Sequence, residues 1–218
     1  MASFKVLHEA DREAWLKERN KRIGGSECAA LVGLNPWMTN VELWEIKTGR
    51  RKKMDVSSSD LVIYGQKAEE HLRALFALDH PDLAVWHEPN AIITNDRYPF
   101  AHASVDGLLT KADGTLGVLE IKTATITSGA QKAKWDGRVP LHYLCQTEWY
   151  MAITGAEFAI LTAQLKWDTD GDVFKISKEY LIERADVQED IDMLLEAGQR
   201  FRESIERDEA PALALPRI

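Results

Sequence analysis

Asp106-Gly107, followed at short range by Glu120-Ile121-Lys122, is the grouping whose residue types and spacing best suit a defined chemistry. Two carboxylates and a lysine gathered at one end of a small sheet can hold a divalent metal and activate a water. That is the machinery for cutting a phosphodiester bond. Strand pairing decides whether they gather. Residues 105–110 and 116–123 are rich in Val, Leu, Ile and Thr and read as strands, with Asp113-Gly114 between them as a turn signal. A two-residue loop pairs residue 106 with 121 and sends the carboxylates to opposite faces. A three-residue loop, Ala112-Asp113-Gly114 with glycine left-handed, pairs 106 with 120 instead. Directly opposed side chains then have Cβ atoms roughly 4.5–5.5 Å apart, and the strand period of 2 puts Lys122 on the face of Glu120. The three-residue loop is favoured, and a bulge near Gly107 or Gly117 would rescue the other register.

The same three letters recur at Glu45-Ile46-Lys47. That copy follows Thr39-Asn40-Val41-Glu42, a capping box, and closes at Gly49, so it reads as helix. A bare Glu-x-Lys therefore carries little, and exposed charges on a sheet edge are the bland alternative at 120–122.

The elements that must position these residues follow from periodicity and punctuation. Helices are expected over residues 9–22, from a Ser26 cap through 32, over 39–48, over a long 60–78, over 127–135, from Pro140 through 153, and over 186–207. Strands are expected over residues 83–87, 91–94, 100–103, the 105–123 hairpin, 158–167 and 173–177. Residues 50–59 read as a surface loop. In the last helix Val187, Ile191, Leu194, Leu195, Phe201 and Ile205 recur at helical spacing under an acidic face, which suits packing or a subunit contact. The order predicts an α/β fold, a central mixed β-sheet flanked by helices, in one domain spanning residues 1–218.

No apolar stretch of about 18 residues exists and no signal peptide opens the chain, so a soluble, unexported protein is expected. Cys28 and Cys145 read as buried thiols in a reducing cytoplasm, and two cysteines cannot supply four ligands to an iron–sulfur cluster or a structural zinc. The formal charge of -8, from 27 basic and 35 acidic residues, argues against coating nucleic acid with the whole surface. Positive charge nonetheless gathers at residues 17–22, 47–53 and 132–138, and acid in the last forty residues, a pattern suited to one DNA-handling face, although solvated helix faces give similar runs.

Five blocks occur in an order that resembles the YqaJ-like viral recombinase nucleases. These include the phage lambda-type exonuclease and belong to the PD-(D/E)xK superfamily. The blocks are Trp15-Leu16-Lys17-Glu18-Arg19 with Gly24-Gly25-Ser26-Glu27, Tyr64-Gly65-Gln66-Lys67-Ala68-Glu69, Ala103-Ser104-Val105-Asp106-Gly107, Leu119-Glu120-Ile121-Lys122 and Tyr143-Leu144-Cys145-Gln146. Valine replaces the proline that the superfamily name expects before Asp106. The resemblance implies that Asp106, Glu120 and the Ile121 backbone carbonyl ligate Mg²⁺, with Mn²⁺ as an alternative, and that Glu69 completes a two-ion site. It implies that Lys122 orients the attacking water, that Gln146 helps position nucleophile or phosphate, and that Arg19, Ser26 and Ser104 form a pocket for a DNA 5′-phosphate. The activity it implies is an alkaline-type 5′→3′ exonuclease on double-stranded DNA ends. Such an enzyme would be a ring-shaped homotrimer leaving a 3′ overhang for a single-strand annealing protein. It would be a phage or prophage protein acting in the cytoplasm of a bacterial host. A related endonuclease or repair nuclease, or a DNA-end-binding module with decayed catalysis, are the alternatives; intact Asp106, Glu120, Lys122 and Glu69 speak against decay.

Overall fold

The computed structural model describes residues 4–215. Its frame is a mixed sheet of five strands in the order β2-β4-β5-β6-β7, namely Ala84–Trp86, Gly107–Thr110, Leu116–Thr125, Phe158–Thr169 and Asp172–Glu183. Neighbouring strands run antiparallel except β5 and β6, which are parallel. A parallel pair needs a crossover, and the chain between them supplies two helices, α5 (Gly129–Ala133) and α6 (Leu141–Thr154). A separate two-stranded ribbon pairs β1 (Phe4–His8) with β3 (Ala91–Asn95).

Strand alternation sorts the sheet into two faces. Leu109, Leu119, Ile121 and Ile160 pack with Leu72 and Phe76 of α4 (Asp60–Asp79). Val118, Leu161, Ala163 and Leu165 belong to the larger core on the other face, with residues of α2 (Gly25–Leu31), α6 and α7 (Arg184–Glu206). Glu120 and Lys122 share the parity of Val118, so a carboxylate is carried into the larger core; Glu120 is 1% exposed. The expected fold class, a mixed sheet flanked by helices, is the one observed.

The hairpin register decides the site. Gly107 faces Leu119 and Thr110 faces Leu116, so continuation of the ladder sets Asp106 opposite Glu120. The chain turns through Ala112, Asp113 and Gly114: Lys111 and Thr115 are bonded across the loop, and Gly114 has φ +85°. Asp113 accepts from the Thr115 N–H at 2.9 Å and holds the turn closed. The three-residue loop is correct, and no bulge is needed.

Other expectations need adjustment. The first helix, α1, covers Arg12–Asn20 with Asp11 as its cap, shorter than residues 9–22. Ser26 does not cap α2. Gly24 is the N-cap, its N–H bonded to Glu27 Oε2 at 3.1 Å, and Ser26 is the second helical residue. The capping box at Thr39 and Glu42 does open α3 (Asn40–Lys47), so the Glu45-Ile46-Lys47 copy is helical. Residues 100–103 form no strand, only bridges from Ala101 to Ile23 and Ala103 to Ile93. Helix α5 is shorter than residues 127–135, and β7 is longer than 173–177. Strand β1 was not anticipated.

Candidate active site

Four elements converge on a cleft of about 270 Å³ lined by Gly65 and Glu69 of α4, Asp106 ahead of β4, Glu120 to Thr123 of β5, and Tyr143 and Gln146 of α6. The floor is a closed polar triangle. Lys122 Nζ lies 2.5 Å from Glu120 Oε1, and Gln146 Nε2 donates to the same oxygen at 2.7 Å. Lys122 also donates to Gln146 Oε1 at 3.2 Å. The amide of Gln146 donates once more, to the Tyr150 hydroxyl at 3.1 Å. Each partner fixes the others, so Glu120 presents its second oxygen in one orientation. That oxygen, Oε2, is buried and has no hydrogen-bond partner.

Asp106 Oδ2 accepts the Ile121 N–H at 2.7 Å, where the side chain takes over from the ladder that ends at Gly107. The carbonyl of a strand residue projects to the same edge as its N–H, so the Ile121 carbonyl and the Asp106 carboxylate share an edge of β5. Burial, then repulsion from Glu120 and Glu69, pushes Asp106 well above the usual carboxylate range. Burial pushes Glu120 up as well, although Lys122 opposes it. Burial works against the Lys122 charge, but Glu120 and Asp106 outweigh it and hold the ammonium above its ordinary range. Lys122 is therefore a fixed positive charge and not a proton acceptor at neutral pH.

Glu69 borders the cleft, but its Oε1 accepts from Arg73 Nη1 at 3.0 Å. The same Arg73 nitrogen donates to the Asp106 carbonyl at 3.0 Å. Arg73 was missed in the sequence. Its only signal was the i,i+4 spacing from Glu69, which any solvated helix displays.

The segments that carry Arg19, Ser26 and Ser104 meet in a way that the sequence could not draw. Ile23 N–H donates to the Phe100 carbonyl at 2.8 Å and His102 N–H to the Ile23 carbonyl at 3.0 Å, which zips the segment before Ser26 to the one before Ser104. Arg19 Nε donates to His102 Nε2 at 3.2 Å, and its guanidinium lies 4.2 Å over the Trp15 ring. Burial and the Arg19 charge push His102 down to about 3, so it is a neutral acceptor. Ser104 Oγ is buried without a partner, and Ser26 is exposed. A Cβ on Gly24 would lie 2.7 Å from His102, and one on Gly25 2.4 Å from the Tyr150 ring and 3.0 Å from Gln146. The double glycine lets the start of α2 touch both groups at once.

The residues fit a hard divalent cation. Asp106, Glu120 and the Ile121 carbonyl are oxygen donors, and one buried carboxylate oxygen lacks any partner. Among the described residues no three His, Cys, Asp or Glu side chains form a ready-made cage. Magnesium suits such a site, since it retains waters and takes one or two carboxylates plus substrate phosphate. Much of the basic sequence is already paired elsewhere: Lys21 and Arg22 with Glu18, Lys47 and Lys53 with Glu27, Arg50 with Asp208, and Arg51 with Glu42 and Glu45. The clusters at 17–22 and 47–53 are thus less available to DNA than their sequence suggests.

Residues 14–157 match the YqaJ-like viral recombinase domain. The chain belongs to this family. Protein YqaJ of Bacillus subtilis (strain 168) is 32% identical over 212 residues, covering 94% of this chain and 60% of that protein. The chain thus spans about 60% of the length of that relative. Its fold is similar to the alkaline exonuclease LHK-Exo from Laribacter hongkongensis, with a TM-score of 0.59 at 18% identity over 89% of this chain and 95% of that one. A phage-related exonuclease from Haemophilus somnus 129PT aligns with a TM-score of 0.55 at 13% identity, covering 86% and 96%. These likenesses identify the fold of this YqaJ-like domain. No helix among its described residues is long and apolar enough to cross a membrane.

Proposed function

We propose that this YqaJ-like chain, residues 1–218 acting as one nuclease domain, is a Mg²⁺-dependent deoxyribonuclease that degrades the 5′ strand of linear duplex DNA. The observation that carries the reading is the unpartnered Glu120 Oε2 beside Asp106, with Lys122 and Gln146 locked on the opposite oxygen. Asp106, Glu120 and the Ile121 carbonyl would hold the ion, and Mn²⁺ would satisfy the same donors. When bound, the ion acidifies water and offsets charge on the phosphate. Glu69 would reach a second ion with the carboxylate oxygen that Arg73 does not hold. Lys122 stabilises charge developing on the scissile phosphate. Gln146 holds Glu120 and Lys122 in register at the wall of the cleft, from which it would help position nucleophile or phosphate.

Direction comes from Arg19, Ser26 and Ser104. With Nε fixed by His102 and one face on Trp15, Arg19 offers its remaining nitrogens to a terminal phosphate. Ser104 Oγ needs a partner, and the chain from Ser104 to Asp106 joins this pocket to the metal site. The family and the exonuclease-type fold support the nuclease part of this reading. LHK-Exo has also been solved with dAMP. In this reading the enzyme is a homotrimeric ring whose 3′ overhang passes to a single-strand annealing protein during phage-type recombination in a bacterial cytoplasm.

The test is cleavage of linear duplex in Mg²⁺ by wild type, Asp106→Ala and Lys122→Ala. Asp106→Ala should abolish cleavage while retaining DNA binding, and Lys122→Ala should slow it on the order of 10²-fold. Wild-type turnover by Asp106→Ala would refute the assignment.

A further inference from the structure

Trp37 presents the largest apolar side chain in the protein to solvent at 73% exposure. Tryptophan is on average well buried, so such exposure on an ordered turn calls for a reason. The turn is built: Asn35 Oδ1 accepts the Trp37 N–H at 2.9 Å, and Pro36 fixes the backbone between them. The ring meets His142 edge-on at 4.9 Å, and His142 lies against Tyr143 at 4.0 Å. Tyr143 lines the catalytic cleft, with Lys122 Nζ 5.0 Å from its ring centroid. A continuous run of three rings therefore leads from the catalytic lysine to the exposed indole. His142 Nε2 is buried without a partner in the middle of this run. Burial and the charges of Lys122 and Lys134 push His142 down to about 4, which keeps its ring neutral.

A run of rings that starts in the candidate cleft at Tyr143, with Lys122 and Lys134 close to its middle, suits an unpaired nucleobase. Every base has a π-face to stack, while the lysines attract its backbone. A protein partner would be expected to meet a broader apolar patch. We propose that Trp37, backed by His142 and Tyr143, is a stacking platform for the base of a nucleotide next to the scissile phosphate. It secures the strand end so that the phosphate rests over Lys122. The inference deepens the nuclease reading and rests on it.

Binding in EDTA separates the two, because no cleavage is needed to observe it. Duplexes with a 5′-phosphate would carry a normal base or an abasic analogue at each of the first three positions of the 5′ strand. Wild type, Trp37→Ala and Trp37→Phe would be compared by fluorescence anisotropy, with circular dichroism confirming their fold. Trp37→Ala should bind intact duplex roughly tenfold more weakly, the loss of one base–aromatic stack. Trp37→Phe should recover most of that loss. At one position the abasic analogue should weaken wild-type binding by a similar factor and leave Trp37→Ala unchanged. Equal binding by wild type and Trp37→Ala, or additive losses at all three positions, would overturn the platform. Failure of wild type to cut in Mg²⁺ with these binding results intact would instead refute the nuclease reading.

Discussion

Arg73 donates to the backbone carbonyl of Asp106 at 3.0 Å. The two residues are far apart in sequence, and the bond fastens α4 to the chain just where the sheet carries its first carboxylate. Because the same nitrogen also holds Glu69, Arg73 couples the position of one acid to the orientation of another. Arg73→Ala should therefore reduce kcat on linear duplex about 10- to 100-fold, the range for losing a charge-assisted bond. Arg73→Lys should fall between, since an ammonium lacks the planar fork. Unchanged kcat in Arg73→Ala would show that α4 needs no such tether.

Asp106 is buried among carboxylates that repel it, so on the proposed reading metal affinity would be set against stability of the metal-free protein. Asp106→Asn keeps an acceptor for the Ile121 N–H but removes the negative charge. Its metal-free melting temperature should rise above wild type by several degrees, about 2–4 °C per kcal/mol relieved. Added Mg²⁺ should raise the wild-type melting temperature and leave the variant unmoved. Calorimetric melting with and without Mg²⁺ checks both halves.

The hairpin was legible because its determinants are local. Asp113-Gly114 sets the turn, and a period of 2 then assigns Glu120 and Lys122 to one face. The box at Thr39 and Glu42 was legible for the same reason. Ser26 was misread because a serine after two glycines looks like a cap, whereas Glu27 reaches back to the Gly24 N–H and makes Gly24 the cap. Strand β1 was invisible because its partner, β3, lies more than eighty residues away, and nothing in Phe4–His8 announces that pairing. His102 and Arg73 escaped for the same physical reason. Each acts through one tertiary bond, to Arg19 or to Asp106, that leaves no periodic trace. Local chemistry thus disclosed the hairpin that carries Asp106, Glu120 and Lys122, while the groups that steady it appeared only with the fold.

The Arg19–His102 bond predicts selectivity for the DNA terminus. A 5′-phosphate engages the guanidinium more fully than a hydroxyl, and charge-assisted bonds contribute roughly 1.5–3 kcal/mol each. Arg19→Ala should erase most of the rate difference between 5′-phosphorylated and 5′-hydroxyl duplexes. His102→Phe, which removes the acceptor while keeping a ring, should reduce that difference with a larger effect on KM than on kcat. Steady-state rates on the two substrates decide it, and an undiminished preference in Arg19→Ala would place the pocket elsewhere.

Stability should also depend on pH through Glu148. This side chain is 2% exposed, its Oε1 has no partner, and burial followed by repulsion from Asp190 pushes it up to about 8. The folded state favours the protonated acid, so its contribution is complete below the unfolded value near 4.5 and is lost as pH rises through about 8. Glu148→Gln should remove that dependence and raise the melting temperature at pH 8 to 9 relative to wild type, with little change at pH 4. Parallel slopes for the two proteins would show that Glu148 is solvated when charged.

The most direct measurement follows nucleotide release from linear duplexes labelled at either the 5′ or the 3′ end of one strand, alongside closed circular DNA, in Mg²⁺. The account predicts early release from the 5′ end, faster with a terminal phosphate than with a hydroxyl, and intact circles. Release from the 3′ end first, or cutting of the circles at a comparable rate, would contradict it.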